Sequence, residues 1–148
     1  MITTRRMFLR AAAAGAALLA LPKTLLAWPE KAFESESTDA AMKELFGSST
    51  ATASDAVTLT APDIAENGAV VPISVSTSIE GAESIGIIVT ENPSPLVASF
   101  ELTPDAVPEV STRIKMGKTS DVMAVVKANG QLYSATKNVK VTIGGCGG

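Results

Sequence analysis

From Ala56 onward, apolar runs are short, rich in β-branched residues, and cut repeatedly by proline, glycine or asparagine. The cuts fall at Pro62, Asn67-Gly68, Asn92-Pro93-Ser94-Pro95, Pro104, Pro108 and Asn129-Gly130. Such spacing leaves no room for a long helix and predicts strands joined by turns. The expected strands are Val57–Thr60, Val70–Ser76, Ile85–Thr90, Val97–Leu102, Val110–Met116, Val122–Ala128 and Gln131–Thr136. Pro72 lacks an N–H and points to an edge position. Asn129-Gly130 is the sharpest local signal, because both residues tolerate the positive φ that a two-residue hairpin demands. A last strand sets Val139, Val141 and Ile143 on one face and Lys140 and Thr142 on the other, and should anchor the chain through Ile143. About seven short strands at roughly ten-residue spacing predict an all-β fold, an antiparallel immunoglobulin-like β-sandwich over residues 56–143.

Residues 28–55 precede that body. Ala41, Met42, Leu45 and Phe46 form an apolar stripe at helical spacing, with Thr38 or Asp39 as the cap and Gly47 as the stop. A short N-terminal helix lying on the domain is expected, followed by a small, polar linker from Ser48 to Ser54. Residues 1–27 are different in kind. Arg5-Arg6-Met7-Phe8-Leu9-Arg10 precedes an apolar run from Ala11 to Leu21 that is too short to span a bilayer comfortably. A small residue stands at Ala27. This is the pattern of a removable export leader, and Arg5, Arg6, Phe8 and Leu9 fit its twin-arginine subclass, which implies a periplasmic protein.

The chain contains no histidine and one cysteine. That combination excludes a Cys/His zinc site, c-type haem attachment and any Ser-His or Cys-His catalytic pair. No loop has the acidic spacing of a calcium site, so neither a metal nor another cofactor is expected. Loss of Arg5, Arg6, Arg10 and Lys23 with the leader would take the net charge from −3 to about −7, which speaks against nucleic acid and against an anionic membrane as partners. Within the body the acids crowd the first part. Arg113, Lys115, Lys118, Lys127, Lys137 and Lys140 face only Asp121 after residue 111, a basic approach to the chain's end.

That end is Gly144-Gly145-Cys146-Gly147-Gly148. Four residues without side chains predict a mobile arm (144–148) with the single thiol upon it. Fully extended, the arm carries Cys146 no more than about 10 Å beyond Ile143. One cysteine cannot close an intramolecular disulfide, so its chemistry lies with another molecule. The tail holds no cation, and the carboxylate of Gly148 is two residues away, which discourages thiolate formation. A thiol so placed is a weak catalyst and a suitable attachment point. The chain is therefore expected to be a non-catalytic carrier, acted on by enzymes that supply their own activating groups.

Pro62-Asp63-Ile64-Ala65-Glu66-Asn67-Gly68, Asn92-Pro93-Ser94-Pro95-Leu96, Thr112-Arg113-Ile114-Lys115-Met116 and above all the terminal Gly-Gly-Cys-Gly-Gly resemble the SoxY family over nearly the whole mature chain. These are sulfur-carrier subunits of a periplasmic thiosulfate-oxidising system. The resemblance implies a heterodimer with a SoxZ-like immunoglobulin-like subunit that has no leader of its own. It further implies that a SoxXA-type cytochrome joins thiosulfate to Cys146. A SoxB-type hydrolase then releases sulfate, and a sulfane dehydrogenase oxidises the sulfur that remains. Gly144, Gly145, Gly147 and Gly148 would lend the arm its freedom.

Two other classes fit parts of the pattern. A ubiquitin-like carrier also ends in Gly-Gly but loads its terminal carboxylate after adenylation, on a β-grasp fold with a central helix. A structural immunoglobulin-like subunit would leave Cys146 incidental.

Overall fold

The computed structural model describes residues 28–143. The export signal (Arg5, Arg6, Phe8, Leu9) and the arm residues Gly144, Gly145, Cys146, Gly147 and Gly148 lie outside the described residues. Among the described residues two short helices come first, α1 (Glu30–Glu34) and α2 (Thr38–Phe46). Nine strands follow: β1 (Thr52–Ala53), β2 (Val57–Thr60), β3 (Ile64–Ala65), β4 (Val71–Thr77), β5 (Ala82–Val89), β6 (Leu96–Glu101), β7 (Glu109–Ile114), β8 (Ser120–Ala128) and β9 (Gln131–Val141). They form two sheets. The larger runs β1-β9-β8-β5-β6 with β3 also on β9, and the smaller runs β2-β4-β7.

Both sheets contribute to one core. Val57, Val71, Ile73, Val75 and Ile114 of the small sheet meet Ile85, Ile87, Val89, Val122, Ala124, Val126 and Val139 of the large one. Alternation along β4 makes this possible, since Val71, Ile73, Val75 and Thr77 point inward and Pro72, Ser74 and Ser76 do not. Strands β5 and β8 break the alternation because their sheet is covered on both sides. Ile88, Leu96, Val125 and Leu132 pack on the far face against Ala32, Ala41, Met42 and Phe46 of the helices. The apolar stripe of α2 thus meets a second apolar sheet face, and each fully covered Ile or Val there is worth about 1.5–3 kcal/mol.

Gly86 lets α2 come this close. A Cβ added there would stand 2.8 Å from Phe46 Cζ and 3.3 Å from Leu45 Cδ2. At the hairpin between β8 and β9, Asn129 has φ 52° and Gly130 φ 75°, both in the left-handed region the Asn-Gly pair predicts.

Several details differ from the sequence expectations. Helix α2 is capped by Ser37 rather than Thr38 or Asp39: the Ala40 N–H donates to Ser37 Oγ at 3.2 Å. The stretch expected as a linker, Ser48–Ser54, carries β1. Pairing is not wholly antiparallel, because β1 and β3 each run parallel to β9 along its outer edge. They cover an edge that would otherwise offer free N–H and C=O groups. The runs Gln131–Thr136 and Val139–Ile143 are not two strands. One strand continues from Gln131 to Val141, since nothing between them breaks the pairing with β8. Pro72 sits on the central strand of the small sheet, yet β2 stops opposite Ser74, so Pro72 still faces an unpaired side.

Candidate functional site

The described chain ends at Ile143, immediately before the last five residues of the sequence, and three loops converge there. Strand β9 is held first by its parallel neighbour, with Ile64 opposite Lys140 and Ala65 opposite Val141. Backbone hydrogen bonds continue the hold through the strand's end and past it. The Lys140 N–H donates to Asp63 O at 3.0 Å, the Thr142 N–H to Ala65 O at 3.1 Å, and the Gly68 N–H to Ile143 O at 2.9 Å. Thr142 Oγ1 adds a bond to Glu66 O at 3.1 Å. On the other flank, the Val141 N–H donates to Thr119 Oγ1 at 3.0 Å.

The chain is therefore gripped to its last described residue, though not by burial. Ile143 was expected to complete the apolar face of the last strand, and instead its side chain is 68% exposed. Its carbonyl holds the backbone while its side chain faces outward.

The grip is relayed from loop to loop. Gly68 O accepts from the Met116 N–H at 2.7 Å, and Met116 is fully buried. Asn92 then bridges the turn after β7, donating from Nδ2 to Lys115 O at 2.8 Å and accepting at Oδ1 from the Gly117 N–H at 3.0 Å. Asn67 Oδ1 closes its own turn on the Ala69 N–H at 2.9 Å. Asn67, Gly68, Asn92, Lys115 and Met116 thus belong to one bonded network around the arm's root. The sequence marked them as breaks or strand residues without assigning them a common place. They are up to 49 residues apart along the chain, and no local pattern links them.

The basic residues expected near the arm divide into two groups. Lys118 pairs with Glu91 at 3.1 Å, and Lys137 pairs with Asp63 at 3.0 Å while donating to Ala61 O at 2.6 Å. Arg113, Lys115 and Lys140 are exposed and form no ion pair among the described residues. Lys127, by contrast, lies toward the other end beside Glu83, 4.0 Å away.

Among the described residues, no group of three or more His, Cys, Asp or Glu side chains is placed to hold a metal ion. No helix among them is long and apolar enough to cross a membrane. An open groove of about 530 Å³ lies at the opposite end, lined by Thr77, Gly81, Leu102, Pro104, Pro108 and Asn129. It lies away from Ile143, the last described residue, and its lining holds no nucleophile beyond weakly reactive hydroxyls. We place the candidate site at the root of the arm, where the only thiol of the chain is attached.

The family model for the sulfur oxidation protein SoxY matches residues 42–146. Among solved structures, the chain is similar to the sulfur carrier protein SoxY from Chlorobium limicola f thiosulfatophilum. That likeness has 50% sequence identity and a TM-score of 0.63, covering 70% of this chain and 94% of that one. It is also similar, in fold alone, to a superoxide reductase (neelaredoxin) from Ignicoccus hospitalis, with 22% identity and a TM-score of 0.51 over 57% of this chain and 79% of that one. No curated protein sequence matches the chain.

Proposed function

Because the chain belongs to the SoxY family of sulfur oxidation proteins, we propose that it carries thiosulfate-derived sulfur covalently on Cys146 while partner enzymes perform the reactions. The observation that carries this reading is the reach of the family match, which runs through the body and ends on Cys146 itself.

The chemistry follows from the residue. An S–S bond forms between Cys146 Sγ and the outer sulfur of thiosulfate. The thiol proton leaves to solvent, and two electrons pass to a SoxXA-type cytochrome. Water then cleaves the bond to the sulfonate group, releasing sulfate at a SoxB-type hydrolase and leaving a persulfide. A sulfane dehydrogenase oxidises that remaining sulfur. Nothing in this sequence of steps asks the carrier for a base or a metal. It asks for a thiol that enters several pockets and a body that holds its root still, and the bonds on Thr142 and Ile143 suit that second task.

The finer parts of the reading belong together. The two sheets form an immunoglobulin-like sandwich, Gly144, Gly145, Gly147 and Gly148 keep the arm narrow and mobile, and a SoxZ-like subunit completes a heterodimer. Arg5, Arg6, Phe8 and Leu9 direct export of the folded chain to the periplasm by the twin-arginine route.

The test is the intact mass of the C-terminal peptide from cells oxidising thiosulfate. We expect sulfur adducts on Cys146 in the native chain and none in Cys146→Ser, with the folded body unchanged. Normal thiosulfate oxidation by Cys146→Ser, or a thiocarboxylate on Gly148, would sink the proposal.

A further inference from the structure

Three large apolar side chains stand exposed around the arm's root. Ile64 is 57% exposed, Val70 51% and Ile143 68%. The backbone brings them to one rim: Ile64 sits opposite Lys140 on β9, Ile143 O accepts from Gly68, and the Val70 N–H donates to Asn67 O at 3.3 Å within the same turn. The other large exposed apolar residues are elsewhere. Trp28 stacks on Phe33 at the start of the described chain, and Val107 lies in the loop at the far end.

The length of the arm decides what covers this rim. Cys146 lies three residues beyond Ile143, so its Cα can travel at most about 10 Å from there. A catalytic atom that meets the thiol inside a pocket brings the walls of that pocket with it. The mouth of the pocket must then press on the surface around Ile143, which is where the apolar side chains are. Resting on the carrier reading above, we infer that Ile64, Val70 and Ile143 form a docking collar for the enzyme that loads the thiol. The matching mouth is apolar at its centre, with carboxylates outside to meet Lys115 and Lys140, which form no ion pair among the described residues. The collar supplies affinity that a glycine arm lacks, and a short arm makes its use unavoidable.

The experiment compares four full-length chains in cells given thiosulfate: native, Ile64→Asp/Val70→Asp, and each of these with four glycines inserted after Ile143. The insertion adds about 13 Å of reach, so a pocket can take the thiol without pressing on the collar. The readout is the fraction of Cys146 carrying sulfur at a fixed early time. We expect the double variant to load at least fivefold less than the native chain, and the longer arm to restore most of that loss. The longer arm on the native collar should stay within twofold of native.

Equal thermal midpoints and equal rates of Cys146 alkylation by iodoacetamide establish that body and thiol are intact. Ile64→Ser/Val70→Ser is the milder pair if the charges unfold the chain. Undiminished loading of a folded collar variant overturns the collar while leaving the carrier reading in place. So does a loss that the longer arm fails to restore, because the rim would then serve a permanently bound subunit. Failure of the carrier reading shows itself separately, as a native Cys146 that never acquires sulfur.

Discussion

The two ends of the large sheet are made from the same strands and finished in different ways. At the far end, β8 turns into β9 through Asn129 and Gly130, two adjacent residues with positive φ, and Asn129 Nδ2 donates to Glu80 O at 2.9 Å. At the arm's end, β9 runs out between the segments that hold Asp63 to Gly68, Asn92, and Lys115 to Gly117, tied by bonds from Gly68, Met116, Asn92 and Thr142. The first finish is local and closes the chain on itself. The second is assembled from distant segments and leaves an end of chain held firmly. On the reading proposed above, a carrier needs that asymmetry, because a thiol on a loose root would be presented in no fixed place. The comparison therefore predicts that damage to the body or the far end lowers stability alone, whereas damage to the root lowers loading as well.

The largest effect on stability is expected at neither end, in the middle of β5. Gly86→Val places new carbon atoms where Phe46 Cζ already lies 2.8 Å from an added Cβ, so the α2 layer must shift. Overpacking of this kind costs about 2–3 kcal/mol, read as a lower urea midpoint. Loading per folded molecule should stay native, since the apolar side chains of the helices pack on the sheet face opposite the shared core. Reduced loading in the folded fraction would break the division between body and root.

Asn92→Ala comes next, at about 1–2 kcal/mol, because it removes an exposed bond to Lys115 O and the partner of the part-buried Gly117 N–H. Here stability and loading should fall together. Lys115 and Gly117 flank Met116, whose N–H holds Gly68 O, and Gly68 in turn holds Ile143. Native loading by a folded Asn92→Ala chain would show that the relay does not matter to the root.

The same contrast explains what could be read from the sequence. The Asn129-Gly130 hairpin, the alternating inward set Val71, Ile73 and Val75, and the α2 stripe that ends at Gly47 all rest on neighbours within a few residues. Each follows from periodicity or from a backbone preference. The root network rests on partners such as Thr142 and Glu66, 76 residues apart, and no periodic pattern marks them. The parallel strands β1 and β3 were missed for a related reason. Two residues each are too few to alternate, and their existence depends on the outer edge of β9 being open. Ile143 misled in the opposite sense. Its spacing from Val139 and Val141 is that of a buried face, but the strand ends before it and its side chain turns outward. The tail cysteine needed no tertiary structure to stand out, since a lone thiol among four glycines is conspicuous in the sequence itself.

The smallest effect belongs to the far end. Gly130→Ala meets no neighbouring atom within 4 Å of the added Cβ, so sterics between residues cost nothing. The penalty is confined to the backbone, which at φ 75° is unfavourable for any residue with a Cβ, and amounts to about 1 kcal/mol. The hairpin should survive, because the β8–β9 ladder continues from Ala128↔Gln131 to Ser120↔Val139 and its residues Val122, Ala124, Val126 and Val139 remain in the shared core. Loading should equal that of the native chain even though this variant weakens the very strand that leads to Cys146. A strand transmits little of a turn's strain across its length when every intervening pair is bonded. If Gly130→Ala loads poorly while remaining folded, the two ends are coupled through β9, and the separation between a self-closing end and a presenting end fails.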